Sequence, residues 1–150
     1  MHRVTADPDT RVVPSVPRGW RGVRTPALVA GGLLAASLAL HLRDPHQAGS
    51  WGFCPWLALT GTYCPGCGGL RAVNDLTHGE VLSAASSNLL FVGSLPFLAV
   101  WWLRSLADGW RGRRRPVSDR TAYVALAVVL SLTVLFWVVR NLPFAAWLTP

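Results

Sequence analysis

Hydrophobic positions along this chain gather into three nearly uncharged runs, at residues 27–42, 81–103 and 121–139. A helix crosses the hydrocarbon core of a bilayer with about 20 apolar residues, and roughly 17–25 are tolerated. The second and third runs reach that length by themselves, and the first reaches it when it starts at residue 25. The pattern therefore predicts an all-α membrane protein whose three transmembrane helices cover about 25–42, 81–103 and 121–139.

A soluble bundle of three buried helices is the alternative explanation of these runs. Such a bundle needs a polar stripe at helical spacing, and the third run has none. Hydrophobic residues make up 51% of the chain and charged residues only 14%, where a soluble protein has roughly 25% charged residues. Three cysteines are too few for a disulfide-rich secreted scaffold. The composition therefore favours the membrane protein.

The arginines are unevenly divided between the segments that flank the runs. Residues 1–24 carry five and residues 104–120 carry six, whereas residues 43–80 carry two. Cytoplasmic segments of membrane proteins collect arginine. We therefore predict a multi-pass protein of the cell membrane whose N-terminus and 104–120 loop are cytoplasmic. The 43–80 loop and the C-terminus are then extracytoplasmic, as an odd number of spans requires.

The excess of positive charge, +7, also occurs in proteins that bind nucleic acid. The densest arginine cluster, residues 111–115, lies between two predicted spans, where orientation and anionic lipid already account for it. We therefore expect the lipid bilayer as a partner and no nucleic acid. A membrane-protein partner or a homo-oligomer is also consistent with the sequence.

Residues 1–24 are rich in proline and charge and have little periodicity, so we predict a disordered cytoplasmic arm before one membrane domain at 25–150. Because Arg18, Arg21 and Arg24 precede a short apolar core, a signal peptide is an alternative for the first run. The long arm before it, and the lack of a small-x-small cleavage site after it, favour a retained anchor.

All three cysteines, Cys54, Cys64 and Cys67, lie in the 43–80 loop, and two of them form a Cys-Pro-Gly-Cys-Gly turn. Two intervening residues allow both sulfurs to reach one point, since proline fixes φ and glycine permits a tight reversal. One chemistry with this geometry is metal binding, with Cys54 as a third thiolate and His78 or His46 as a fourth ligand for zinc or iron.

Two other chemistries use the same turn. A reactive thiol pair belongs at a helix N-terminus, a placement that two glycines after Cys67 weaken. A structural disulfide would join Cys54 to Cys64 or Cys67 and leave one thiol free. The sequence names no reaction. It favours a non-enzymatic membrane module or assembly partner with a structural turn, and a redox or metal centre is the alternative.

Polar residues near the turn are candidates for structural or anion-binding roles. Leu70, Val73 and Leu76 predict a short interfacial helix, on which Arg71 is placed to pair with Asp75 or to bind an anion. Asn88 needs a partner at membrane depth. Arg140 ends the third run, and its simplest role is to satisfy the last carbonyls of that helix. If Arg71 and Arg140 both face the turn, they form an anion site.

The run CPGCGGLRA, with Cys-Pro at residues 54–55 and His-Gly at 78–79, resembles an uncharacterised family of small bacterial membrane proteins. That family is marked by a C-P-x-C-G-x-T-R-A motif, and the resemblance extends to the Arg-Asn-x-Pro at residues 140–143. The chain departs from the pattern at Leu70, where threonine is usual, and at Leu89, where proline often follows the asparagine. The resemblance implies a membrane location and a compact helical fold, and no activity, cofactor or catalytic residue.

Overall fold

The protein, described by a computed structural model over residues 18–47, 49–51, 53–113 and 117–149, is helical and has no strand within those ranges. These ranges contain six α-helices, followed by a 3₁₀ helix at Pro143–Leu148. Their bounds are α1 Trp20–Leu42, α2 Pro55–Thr60, α3 Gly69–Thr77, α4 Val81–Ser87, α5 Leu89–Arg111 and α6 Asp119–Arg140. The all-α class and the short helix after the cysteine turn, α3, are thus confirmed.

Three helices, α1, α5 and α6, are long and apolar enough to cross a membrane. They contain 23, 23 and 22 residues, and at 1.5 Å per residue each extends over about 33–35 Å. The three-span prediction is confirmed. Helix α1 begins at Trp20, so residues 20–24, which the sequence assigned to a disordered arm, are helical. The earlier part of that arm, residues 1–17, lies outside the described residues.

The second span differs from its prediction, because the run at 81–103 is broken at Asn88. Asn88 has extended backbone (φ −159°), and its side-chain oxygen accepts the N–H of Phe91 at 3.0 Å, which caps α5. The spanning helix is therefore 89–111, and residues 104–111 of the predicted cytoplasmic loop are helical. The break forms even though residue 89 is leucine and not the proline that the related pattern often has. The side-chain oxygen of Asn88 accepts the N–H of Phe91 and so caps the new helix.

Helices α1 and α5 cross closely at the end of the molecule where α1 begins. A β-carbon at Gly109 would lie 2.5 Å from the carbonyl oxygen of Gly22, so only glycine fits this crossing. Pro26, four residues after Gly22, has no N–H to donate to that carbonyl. The indole N–H of Trp102 donates to the carbonyl of Pro26 at 3.2 Å, which adds a polar contact between the two helices.

Buried residues gather at the opposite end, where α1 ends, α5 begins and α6 ends. We call this part, the described residues of 43–88 and 140–149, the polar cap. Apart from Val23 and Leu40, every buried residue that the structure describes lies in it. Five of these are polar or charged: Asn74, Asp75, Ser87, Asn88 and Arg140. The cysteines belong to this cap.

Candidate metal centre

The cysteine turn is a tight reversal that directs two sulfurs to the same side. The N–H of Cys67 donates to the carbonyl of Cys64 at 3.1 Å, and the N–H of Cys64 donates to the Sγ of Cys67 at 3.3 Å. Gly68 then adopts the left-handed conformation, φ 79°, which glycine tolerates without strain, and α3 begins at the next residue. The sequence Cys-Pro-Gly-Cys-Gly thus makes a turn in which backbone and sulfur are bonded together.

Cys54 completes a cluster of three sulfurs. The Sγ atoms of Cys64 and Cys67 lie 2.9 Å apart, and those of Cys54 and Cys64 lie 3.6 Å apart. All three Sγ atoms fall within 4.8 Å of one another. The cysteines are free and partly buried. The structure therefore brings together the three residues that the sequence proposed as thiol ligands, and none is paired in a disulfide.

Helix α2, which the sequence analysis missed, positions Cys54 as the residue that precedes its first turn. Pro55 occupies the first helical position, and Gly61, with φ 69°, ends the helix in the left-handed conformation. Proline at the start and glycine just past the end are the usual signals of a short helix, and both are present in the sequence. The ring of Trp56 packs in a T-shaped arrangement against that of Trp137 in α6, with centroids 5.4 Å apart, and this contact holds α2 against α6.

The thiols of Cys54 and Cys67 have different electrostatic environments. The backbone N–H of Leu57 lowers the pKa of the Cys54 thiol below its usual range, because this bond favours the thiolate. Burial raises the pKa of Cys67 to about 12, because its thiolate is poorly solvated. Cys54 therefore ionises more readily than Cys67 when no cation is bound, and a nearby positive charge favours ionisation of Cys67.

Arg140 lies beneath the turn with only 1% of its surface exposed. Its Nη1 donates to the carbonyl oxygens of Cys64 and Cys67, at 2.9 and 3.1 Å, and its Nη2 donates to that of Leu148 at 3.0 Å. We had expected Arg140 to satisfy the last carbonyls of its own helix. That expectation was wrong, because the planar guanidinium reaches two carbonyls of the turn and one of the 3₁₀ helix.

Two asparagines complete the support of the turn. Nδ2 of Asn88 donates to the carbonyls of Pro65 and Cys67, at 2.9 and 3.2 Å. Asn141 exchanges two hydrogen bonds with the backbone of Tyr63, donating at 2.9 Å and accepting at 2.8 Å. The sequence analysis assigned no role to Asn141. Its position after Arg140 in the Arg-Asn-x-Pro run was the one sequence feature that pointed to a structural role. The turn is thus anchored to the ends of α5 and α6.

The histidines proposed as a fourth ligand lie elsewhere in the polar cap. Nδ1 of His78 contacts the carbonyl of Asn74 at 2.9 Å, and its ring stacks on that of His41 at 4.3 Å. Nε2 of His46 lies 3.3 Å from a carboxylate oxygen of Asp75. Within the described ranges, no histidine, carboxylate or further cysteine joins the three sulfurs. A metal held here would therefore have three cysteine sulfurs as ligands and no histidine or carboxylate from the described residues.

A cavity of about 560 Å³ borders the sulfur cluster. Aromatic rings from Trp51, Phe53 and Tyr63 form part of its wall, and Arg71 is its only charged lining residue among those described. The sequence suggested that Arg71 pairs with Asp75, but the structure has no ion pair between these two residues. Asp75 instead accepts a bond from the hydroxyl of Ser87 at 3.1 Å and contacts His46.

A family model described as "Protein of unknown function (DUF2752)" matches residues 54–102, about a third of the chain. The match begins at the first cysteine and includes α2, the turn, α3, α4 and the first 14 of the 23 residues of α5. It confirms the resemblance to an uncharacterised family over this segment. No curated protein and no solved structure matches the chain.

Proposed function

We propose that this protein is a membrane-anchored metal-binding module in which Cys54, Cys64 and Cys67 hold one thiophilic divalent ion, zinc or ferrous iron. The observation that carries this proposal is the convergence of three sulfurs, each from a different position of the loop, within 4.8 Å. A structural disulfide uses only two of them and gives no reason for the third. Thiolates are preferred ligands of zinc and iron–sulfur centres.

The charge of the polar cap supports the same conclusion. Three thiolates and a divalent ion carry a net charge of −1, and the buried guanidinium of Arg140 carries +1. Among the described residues, Arg140 has no carboxylate partner within ion-pair distance. A buried cation is costly unless an opposite charge lies close to it, so the thiolate centre accounts for an arginine that is otherwise uncompensated.

We propose that the polar cap faces the extracytoplasmic side. The cysteine turn, the start of α5 and the end of α6 share one end of the molecule, whereas the arginine-rich segments flank the other ends of the spans. Arginine-rich flanks stay in the cytoplasm. A reporter that is active only outside the cytoplasm, fused after Pro150, should be active, and an inactive reporter with normal expression contradicts this orientation.

Metal content of the full chain, purified in detergent without chelators, tests the metal site. We expect about one zinc or iron per chain, and loss of most of it in Cys64→Ser and in Cys54→Ser. Ser131→Ala, an exposed position on α6, is the matched control and should keep the metal. Circular dichroism checks that each variant remains helical. Wild-type protein with three free thiols and no metal would contradict the proposal.

Thiol redox is a second candidate, and the 2.9 Å approach of Cys64 to Cys67 favours it specifically. Oxidation would join these sulfurs in a disulfide and pass two electrons and two protons to an acceptor disulfide, leaving Cys54 free. Mass spectrometry after alkylation, without reductant, separates the candidates. A blocked Cys64–Cys67 pair in metal-free protein would favour redox, whereas three thiols alkylated only after chelation favour the metal.

A further inference from the structure

The three cysteine sulfurs share a cavity with Arg71, to which the structure gives no ion-pair partner. We infer that the metal centre takes its fourth ligand from outside the chain, a small anionic thiol whose negative group is bound by Arg71. This inference rests on the proposed metal site and names the class of ligand that the site accepts.

The open position follows from the ligand count. Zinc in proteins is almost always four-coordinate, and sites with three protein ligands leave the fourth position to water or to a substrate. The described residues supply three thiolates and no fourth histidine, cysteine or carboxylate within reach. All three cysteines line the same cavity of about 560 Å³, a volume that holds a small organic molecule. The fourth position therefore faces space that a ligand can occupy.

The preference for an anion follows from the charges around that space. The structure gives Arg71 no hydrogen bond or ion pair, and the carboxylate four residues along, Asp75, is engaged by His46 and Ser87. None of the described residues that line the cavity is acidic. Arg140, behind the turn, already balances the charge of the three-thiolate centre, so Arg71 is the cation available to a further anion. An anionic group entering the cavity thus meets one free guanidinium and no competing carboxylate.

A thiol is the matching donor because a metal already bound by three thiolates is suited to soft ligands. Binding is a coordination step without change of oxidation state. The incoming thiol loses its proton to solvent, its sulfur donates an electron pair to the metal, and the coordinated water leaves. The aromatic wall formed by Trp51, Phe53 and Tyr63 covers the carbon part of such a ligand.

The test uses the full chain in detergent micelles, loaded with cobalt(II) in place of the native metal. The thiolate-to-cobalt charge-transfer bands report the number of bound thiolates, and the d–d bands of the cobalt report the entry of a fourth ligand. Two probes of similar thiol acidity and size are titrated, 2-mercaptoethanesulfonate, which is anionic, and 2-mercaptoethanol, which is neutral. We expect the sulfonate to bind about tenfold more tightly, the factor that one hydrogen bond to a charged group contributes.

Variants at Arg71 assign the preference. Arg71→Gln should keep the cobalt and its three-thiolate spectrum but bind both probes equally. Arg71→Lys should retain most of the preference, because the charge is kept, and the distant exposed Arg120→Gln should behave as wild type. Retained cobalt with no spectral change on adding either probe overturns the inference and leaves the metal site standing. Equal binding of both probes by the wild type overturns the role of Arg71. Failure of the wild-type chain to bind cobalt overturns the proposed function, and the inference with it.

Discussion

The spans and the polar cap are built on opposite principles. Along the apolar windows of α1, α5 and α6, at most 6% of positions are buried inside the protein, and large side chains such as Phe97 and Leu126 are exposed. In the polar cap the buried positions include Asn74, Asp75 and Arg140. Lipid solvates the apolar surface of the spans, whereas the buried polar groups of the cap are satisfied by hydrogen bonds to one another.

This difference indicates where structural specificity lies. Burial of apolar side chains in the bilayer holds the spans in place but discriminates little between packing arrangements, because lipid tails are as apolar as leucine. The hydrogen bonds of the cap join residues far apart in sequence: Arg140 bonds to the carbonyl of Cys64, 76 positions away. We therefore expect substitutions in the cap to have large effects and most substitutions in the spans to have small ones.

Arg140→Met should have the largest effect. It removes three hydrogen bonds from a charged donor, each contributing about 1.5–3 kcal/mol, and leaves the carbonyl of Leu148 without a donor among the described residues. The carbonyls of Cys64 and Cys67 keep the N–H of Cys67 and the Nδ2 of Asn88, so we expect a net loss of about 3–5 kcal/mol. Arg140→Lys should recover only part of it, because an ammonium lacks the planar fork. Unfolding in micelles and metal content are the measurements.

The control for this prediction is Arg120→Met, an exposed arginine near the start of α6. Its unfolding free energy should change by less than about 0.5 kcal/mol. Equal effects at both arginines would show that the polar cap does not depend on the buried guanidinium.

Asn88→Ala should have the second largest effect, about 2 kcal/mol. The variant loses the cap of α5, worth about 1 kcal/mol, and the donors to Pro65 and Cys67, worth about as much again. Asn88→Ser keeps a capping hydroxyl but is too short to reach the turn, so we expect about half the cost. The same unfolding measurement applies, and equal costs for Asn88→Ala and Asn88→Ser would mean that only the bonds to the turn contribute and the cap of α5 does not.

The spans could be predicted from the sequence because the information lies within each segment. Three long uncharged runs give three membrane-length helices, and only their ends moved, as at Trp20 and Arg111. The break at Asn88 was missed because its extended backbone depends on a partner that hydropathy does not record, the turn at Pro65.

The candidate site was predicted in part. The spacing of Cys64 and Cys67 allowed both sulfurs to reach one point, and Cys54 was the only other thiol in the sequence. His78 is separated from them by α3, which carries it away from the turn to stack on His41 in α1, and the short helix predicted after the turn already implied this separation. The contacts of Arg140 and Asn141 were missed, since both connect the last span to a loop more than 70 residues earlier.

The crossing of α1 and α5 is the place where a span substitution should have a clear effect. Gly109→Ala puts a methyl group 2.5 Å from the carbonyl oxygen of Gly22, and we expect a loss of about 1–2 kcal/mol from the displaced helices. Gly93→Ala, in the same helix, meets no atom within 4 Å and should be neutral or stabilising by up to about 1 kcal/mol. Unfolding of both variants in micelles measures this, and equal stabilities would contradict the close crossing.

The smallest effect is expected on the lipid-facing side of α6. Leu130 is 55% exposed, so in Leu130→Ala lipid fills the space and the cost should stay below about 0.5 kcal/mol. Leu148→Ala, whose side chain is 4% exposed in the polar cap, leaves a cavity that lipid does not reach and should cost about 2 kcal/mol or more. Reversible unfolding in bilayers compares the two. A cost at Leu130 equal to that at Leu148 would contradict a lipid-facing surface, because it would require a protein surface, such as a second copy of the chain, packed against α6.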